Sequence, residues 1–131
     1  MLDHSLEQAL RNVVQSAPAE VIAVYVYGSR ARGTERSDSD LDLGALLVKP
    51  QPAALRGVAR DLEAAVEAAV RVPTQVVVLN QAPADLIHRV LRDGVLLLDR
   101  DRPARIRFEV QSRNEYFDLA PIRRLYRRLA P

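Results

Sequence analysis

Apolar positions recur along this chain with two periods, and the alternation between them predicts its elements. Leu6, Leu10, Val13 and Val14 form a helical stripe running to about Ala17, with Ser5 and Gln8 in capping-box spacing and Pro18 as the stop. "VIAVYVY", Val21 to Tyr27, is a nearly continuous apolar run rich in β-branched and aromatic residues, the pattern of a central strand covered on both faces. Asp40 to Val48 reads as a second strand, followed by a turn in "KPQP". Leu55, Val58, Leu62, Val66 and Ala69 return to helical spacing, and that helix ends before Pro73. Thr74 to Leu79 is a third strand. Pro83 opens a shorter helix through Leu91, with Gly94 as its C-cap. Val95 to Asp99 is a fourth strand. A helical segment runs from Pro103 to about Leu119, and Pro121 kinks or restarts it.

The order α-β-β-α-β-α-β-α predicts an α/β (α+β) fold, a small mixed sheet of about four strands packed with helices. The 131 residues suit a single domain over 1–131 with a helical, arginine-rich tail from about 103 to 131. The composition, 48% hydrophobic and 27% charged, is that of a globular domain. No apolar run reaches the roughly 18 residues of a membrane span, and "MLDHSLEQAL" has neither the basic start nor the apolar core of a secretory signal. Cysteine is absent, which removes disulfides and thiolate chemistry and suits a cytoplasmic location. His4 and His88 are too few and too far apart for a metal or triad reading. All basic residues except Lys49 are arginine, and Arg123, Arg124, Arg127 and Arg128 crowd the tail. With only 5% aromatic residues, interleaved stacking and basic positions are scarce, so docking to a protein fits this tail at least as well as nucleic acid.

Chemistry concentrates in "YGSRARGTERSDSDLDLG", Tyr27 to Gly44. Alternation along a strand sets Asp40 and Asp42 on one face, with Leu41 and Leu43 on the other. Adjacent carboxylates repel unless a cation lies between them, and magnesium is the natural partner of hard oxygen ligands. Gly28 ends the first strand and lets a phosphate approach the backbone, Ser29 adds a hydroxyl, and a helical turn at Ala31-Arg32 would face the same anion with free N–H groups. Phosphate at one strand end and carboxylates on the next describe a nucleoside-triphosphate site. Competing motifs fail. Gly28 and Gly33 have P-loop spacing, but Thr34-Glu35 stand where Lys-Ser/Thr is required. Asp38, Asp40 and Asp42 imitate a calcium loop, but Leu43 and Lys49 occupy its glycine and glutamate positions.

Gly28-Ser29, Ala31-Arg32-Gly33 and Ser39-Asp40-Leu41-Asp42-Leu43 together resemble the signature of the minimal nucleotidyltransferase (MNT) family, within the DNA-polymerase-β-like superfamily. The layout of the C-terminal half is similar too, so the likeness covers nearly the whole chain. Members of this size resemble the antitoxins of HEPN/MNT toxin–antitoxin pairs. The resemblance implies AMP transfer from Mg-ATP to a tyrosine of a HEPN ribonuclease toxin, within a hetero-oligomer that needs neither membrane nor direct nucleic-acid contact. It implies that Gly28 and Ser29 hold the triphosphate, that Asp40 and Asp42 bind magnesium, with two ions in the active complex, and that Arg30 and Arg32 support phosphate charge. The family's third carboxylate falls at Gln75, an amide that neither balances a metal's charge nor takes a proton. Two readings therefore stand: a protein adenylyltransferase whose site is completed by the partner, by substrate phosphates or by an acid such as Asp85, and a catalytically weakened antitoxin that works by binding. His88 is read as a surface residue, Tyr25 as core and Tyr27 as near the nucleotide. Of Phe108, Tyr116, Phe117 and Tyr126, at least half are expected in the core.

Overall fold

Four strands form one sheet in the order β3-β2-β1-β4: β1 Val21–Tyr27, β2 Leu41–Leu47, β3 Thr74–Val78 and β4 Val95–Asp99. β1 lies antiparallel to β2 and β4, while β2 and β3 run parallel. The computed structural model describes residues 2–33, 39–48 and 52–129, with residues 52–55 given by backbone alone. Asp38, the Lys49-Pro50-Gln51 part of the expected turn and the Leu55 side chain lie outside the described residues. Among the described residues no helix is long and apolar enough to cross a membrane.

Helices α1 (His4–Val14) and α3 (Pro52–Val70) cover one face of the sheet; α4 (Ala84–Asp93) and α5 (Arg102–Asp118) cover the other. The strand pattern sorts the core accordingly. Val24, Val26, Leu41, Leu43 and Ala45 pack with Leu10 and Val14 of α1 and with Leu62 and Val66 of α3. Ala23, Tyr25 and Leu46 pack with Ile87 and Val90 of α4, and Phe108 of α5 leans on this second layer. The helical turn expected at Ala31-Arg32 is present as α2 (Ser29–Arg32), and at Pro121 the last helical segment restarts as a separate helix, α6 (Ala120–Leu129).

Several boundaries differ from expectation. Asp3, not Ser5, caps α1, because its carboxylate accepts the Leu6 N–H at 2.9 Å and fixes the start. The same helix stops at Val14 rather than near Ala17, since the carbonyls beyond it are claimed from a distance. The Arg100 guanidinium donates to Gln15, Ala17, Pro18 and Val21 at 2.8–3.0 Å. β3 ends at Val78 because Leu79–Gln81 turn as a 3₁₀ helix, and Asn80 then pairs its side-chain amide with both Leu47 backbone groups, at 2.8 and 2.9 Å. Asp40 precedes β2, and Ala69 is exposed on α3.

α4 runs to Asp93 and Gly94 is its C-cap as expected, with an extended backbone at φ −76° and its N–H donating to the Val90 carbonyl. A Cβ there would lie 2.3 Å from the Val90 carbonyl oxygen and 3.2 Å from that of Val26, so close approach of helix to strand is what glycine permits.

Candidate nucleotide site

Gly28 breaks β1 with φ +80° and ψ −160°, a backbone conformation essentially confined to glycine. The reversal starts α2, and Gly33, at φ +74°, ends that turn in the left-handed region. Antiparallel pairing sets Asp42 beside Tyr27, and a Cβ on Gly28 would sit 2.6 Å from the Asp42 Oδ2 atom. Gly28 therefore serves twice: it makes the turn and leaves the space that the Asp42 carboxylate fills. The parallel register sets Gln75 directly beside Asp42 on the other side. Side chains of directly paired residues share a sheet face, so Tyr27, Asp42 and Gln75 form one row.

A cavity of about 330 Å³ opens over this row, lined by Tyr27, Gly28, Ser29, Arg32, Asp42, Arg89 and Asp93. That size is at the lower end of small-ligand sites, roughly 300–1,000 Å³. A larger groove of about 730 Å³ lies between the 3₁₀ turn and α5, floored by Ile22, Leu46, Leu79 and Phe108. It holds neither the glycine turn nor the paired carboxylates, so the smaller cavity is the site of interest.

The electrostatics of the row follow from burial. The Asp42 carboxyl is raised above its ordinary pKa by partial burial first and by the charge of Asp40 second. The Tyr27 hydroxyl is also raised, by burial and by the Asp42 charge, while Arg89 opposes the shift. A half-buried carboxylate strained by its neighbour is relieved by a bound cation, and two carboxylates with open positions for phosphate oxygens suit magnesium in particular. The donor set fits one such ion. Among the described residues no group of three His, Cys, Asp or Glu side chains gathers anywhere, and the position beside Asp42 is the neutral Gln75.

Sequence-predicted residues fall into two groups. Gly28, Ser29, Arg32 and Asp42 line the cavity, with exposed Asp40 near enough to act on Asp42. Arg30 is turned elsewhere: its Nε and Nη2 donate to the Ser39 carbonyl at 3.0 and 2.8 Å, tying α2 to the segment entering β2. Asp85 pairs with Arg123 at 3.4 Å in the first turn of α4, and it is Asp93, in the last turn, that lines the cavity. His88 is not a free surface residue. Its ring stacks on Tyr116 at 3.7 Å and 4°, and the Arg123 guanidinium lies 3.8 Å from the same tyrosine ring. Phe108 and Tyr116 are partly buried, whereas Phe117 and Tyr126 are exposed. Arg89 and Asp93 escaped the sequence reading. Their only signal was an i,i+4 spacing on the polar side of α4, which does not say what that side faces.

A family model described as polymerase beta, nucleotidyltransferase, matches residues 8–103. No curated protein matches the chain. Among solved structures it is similar to a mutant MntA–HpeT toxin–antitoxin structure, with TM-score 0.75 and 18% identity over 92% of this chain and 94% of that one. A toxin–antitoxin structure with AMP-PNP gives TM-score 0.72 and 21% identity over 92% and 94%. The complex of tri-AMPylated Shewanella oneidensis HEPN toxin with MNT antitoxin gives 0.70 and 17% over 93% and 92%. At these identities the likeness is one of fold.

Proposed function

Since the chain belongs to the polymerase-β nucleotidyltransferase family, we propose that it is an MNT-type antitoxin which transfers AMP from Mg-ATP to a tyrosine of a HEPN-family toxin. The observation that carries this reading is the fit of Gly28 against Asp42. A glycine-only turn and a carboxylate raised by burial and by Asp40 meet at the mouth of one cavity. A structure of like fold, in which an MNT antitoxin is in complex with a tri-AMPylated HEPN toxin, supports the choice of a HEPN toxin as acceptor.

In this reading Gly28 admits the triphosphate to the backbone and Ser29 donates its hydroxyl to a phosphate oxygen. Arg32 supplies positive charge from the rim. Asp40 and Asp42 would hold magnesium, which would supply neutralisation of the phosphate charge. The acceptor tyrosine oxygen attacks the α-phosphorus in line, a new P–O bond forms, the bond to the bridging oxygen breaks, and pyrophosphate leaves with that electron pair. Gln75 takes no proton, so the phenolic proton is given up to solvent.

The partner's surface is proposed to be α6. Ile122, Leu125, Tyr126 and Leu129 form one helical stripe, exposed by 51, 55, 71 and 73%. Arg124, Arg127 and Arg128 flank it, and α6 carries no acidic residue. An apolar stripe edged by guanidinium groups suits a protein groove edged by carboxylates, the occupant we assign being the HEPN toxin.

Gln75 favours a second reading, inhibition by binding alone, because the side chain in register with Asp42 brings no charge. Transfer of labelled AMP from α-labelled ATP to the co-expressed partner, with and without magnesium, separates the two. Label on a partner tyrosine that disappears in an Asp40→Asn/Asp42→Asn variant supports the enzyme. An unlabelled partner that is still silenced in the complex supports binding alone.

A further inference from the structure

The cavity over Tyr27 contains a cation that neither the signature nor the family likeness assigns. We propose that Arg89 is a phosphate-binding residue of this site and grips the polyphosphate of ATP from the α4 side. The inference rests on the nucleotide reading above and adds a residue to it.

A census of the arginines near the cavity leads there. Arg30 donates through Nε and Nη2 to the Ser39 carbonyl and does not line the cavity. Arg92 is paired with Asp93, its Nη2 2.9 Å from the carboxylate. Arg32 is not free either; its charge acts on Asp93, whose carboxylate is lowered first by the Arg92 hydrogen bond and in smaller part by Arg32. Arg89 is exposed, lines the cavity and makes no hydrogen bond or ion pair among the described residues. It lines the cavity together with Tyr27 and Asp42, and its charge opposes that of Asp42 at the Tyr27 hydroxyl.

The helix that carries it is fixed. Ile87 and Val90 are buried against the sheet, and Gly94 lets the end of α4 approach the Val26 carbonyl. His88 is clasped by Tyr116, and Asp85 is held by Arg123. An arginine on a rigid support, facing a cavity and with no partner among the described residues, presents a planar fork of donors that matches phosphate oxygens in pairs. A carboxylate ligand is excluded by the neighbouring Asp42 and Asp93 charges unless a cation accompanies it. A magnesium-bearing polyphosphate brings that cation with it.

The test is calorimetric binding to the full-length protein with magnesium present, using ATP, inorganic tripolyphosphate and adenosine as separate probes. Arg89→Ala is expected to weaken ATP and tripolyphosphate about 10–100-fold and to leave adenosine unchanged. Arg89→Lys should recover part of the loss, because it keeps the charge but not the fork. The thermal midpoint without ligand should match the wild type, since Arg89 has no partner among the described residues to lose. Unchanged ATP affinity in Arg89→Ala, or an equal loss for adenosine and ATP, overturns the assignment while leaving the nucleotide reading intact. A wild-type protein that binds none of the three probes overturns both.

Discussion

At the scale of the residue, two side chains show how burial sets chemistry. Asp42 is half-buried beside Tyr27 and Gln75, and its raised carboxyl marks a position where a cation improves the folded state. Tyr25, two residues before Tyr27 on β1, is the opposite case: a core residue whose buried hydroxyl has no hydrogen-bond partner among the described residues. Its pKa is raised above the ordinary value, by burial first and by the Glu109 charge next, with Arg105 opposing. The sign follows directly. The neutral form is the one the fold accepts, so the stability Tyr25 contributes is complete below its unfolded pKa of about 10 and is lost as pH rises beyond it. Urea midpoints at about pH 9 and pH 11 should therefore fall more steeply for the wild type than for Tyr25→Phe. At neutral pH the variant should be as stable as the wild type or slightly more so, because it deletes an unsatisfied buried group. A parallel fall in both proteins would show that Tyr25 is not the titrating group.

At the scale of the element, local sequence signals formed the helices and strands, while distant side chains set their ends. Edge strand β3 is an example. Its outward N–H groups at Thr74 and Val76 are taken by Glu67 and Glu63 of α3, at 2.8 and 2.9 Å, so the edge offers fewer donors to another chain. Arg100 is the second. One guanidinium closes four carbonyls between the end of α1 and the start of β1, and its own N–H bonds Ile22 at 2.8 Å. These bonds are partly exposed, so Arg100→Ala should cost about 1–3 kcal/mol rather than their full sum. Chemical denaturation should show a lower midpoint at unchanged slope. A midpoint within about 0.5 kcal/mol of the wild type would mean that water replaces the guanidinium at these carbonyls.

At the scale of the whole molecule, the sheet end with Gly28 and the exposed stripe of α6 are joined through α4. α4 carries Arg89 and Asp93 at the cavity, and Asp85 and His88 against Arg123 and Tyr116. The tail thus steadies the site while leaving its own apolar stripe uncovered. Leu125→Asp with Leu129→Asp should abolish co-purification with the partner. Because both side chains are largely exposed, the thermal midpoint of the isolated protein should change little. A complex that survives this double change would move the interface to another surface.

The sequence by itself determined the four strands, the helices between them and the pairing of Gly28-Ser29 with Asp40 and Asp42, because period and turn chemistry are local properties of the chain. Gln75 was marked only by the family resemblance, as the position of the third carboxylate, and the tertiary structure sets it beside Asp42 through the parallel register. Only the tertiary structure decided that Arg30 is consumed by Ser39, that Asp85 belongs to Arg123, and that Arg89 and Asp93 border the cavity. The placing of Arg89 and Asp93 depends on how far α4 lies from Gly28, and that distance is fixed by packing of Ile87, Val90 and Gly94 against β1, not by any spacing along the chain.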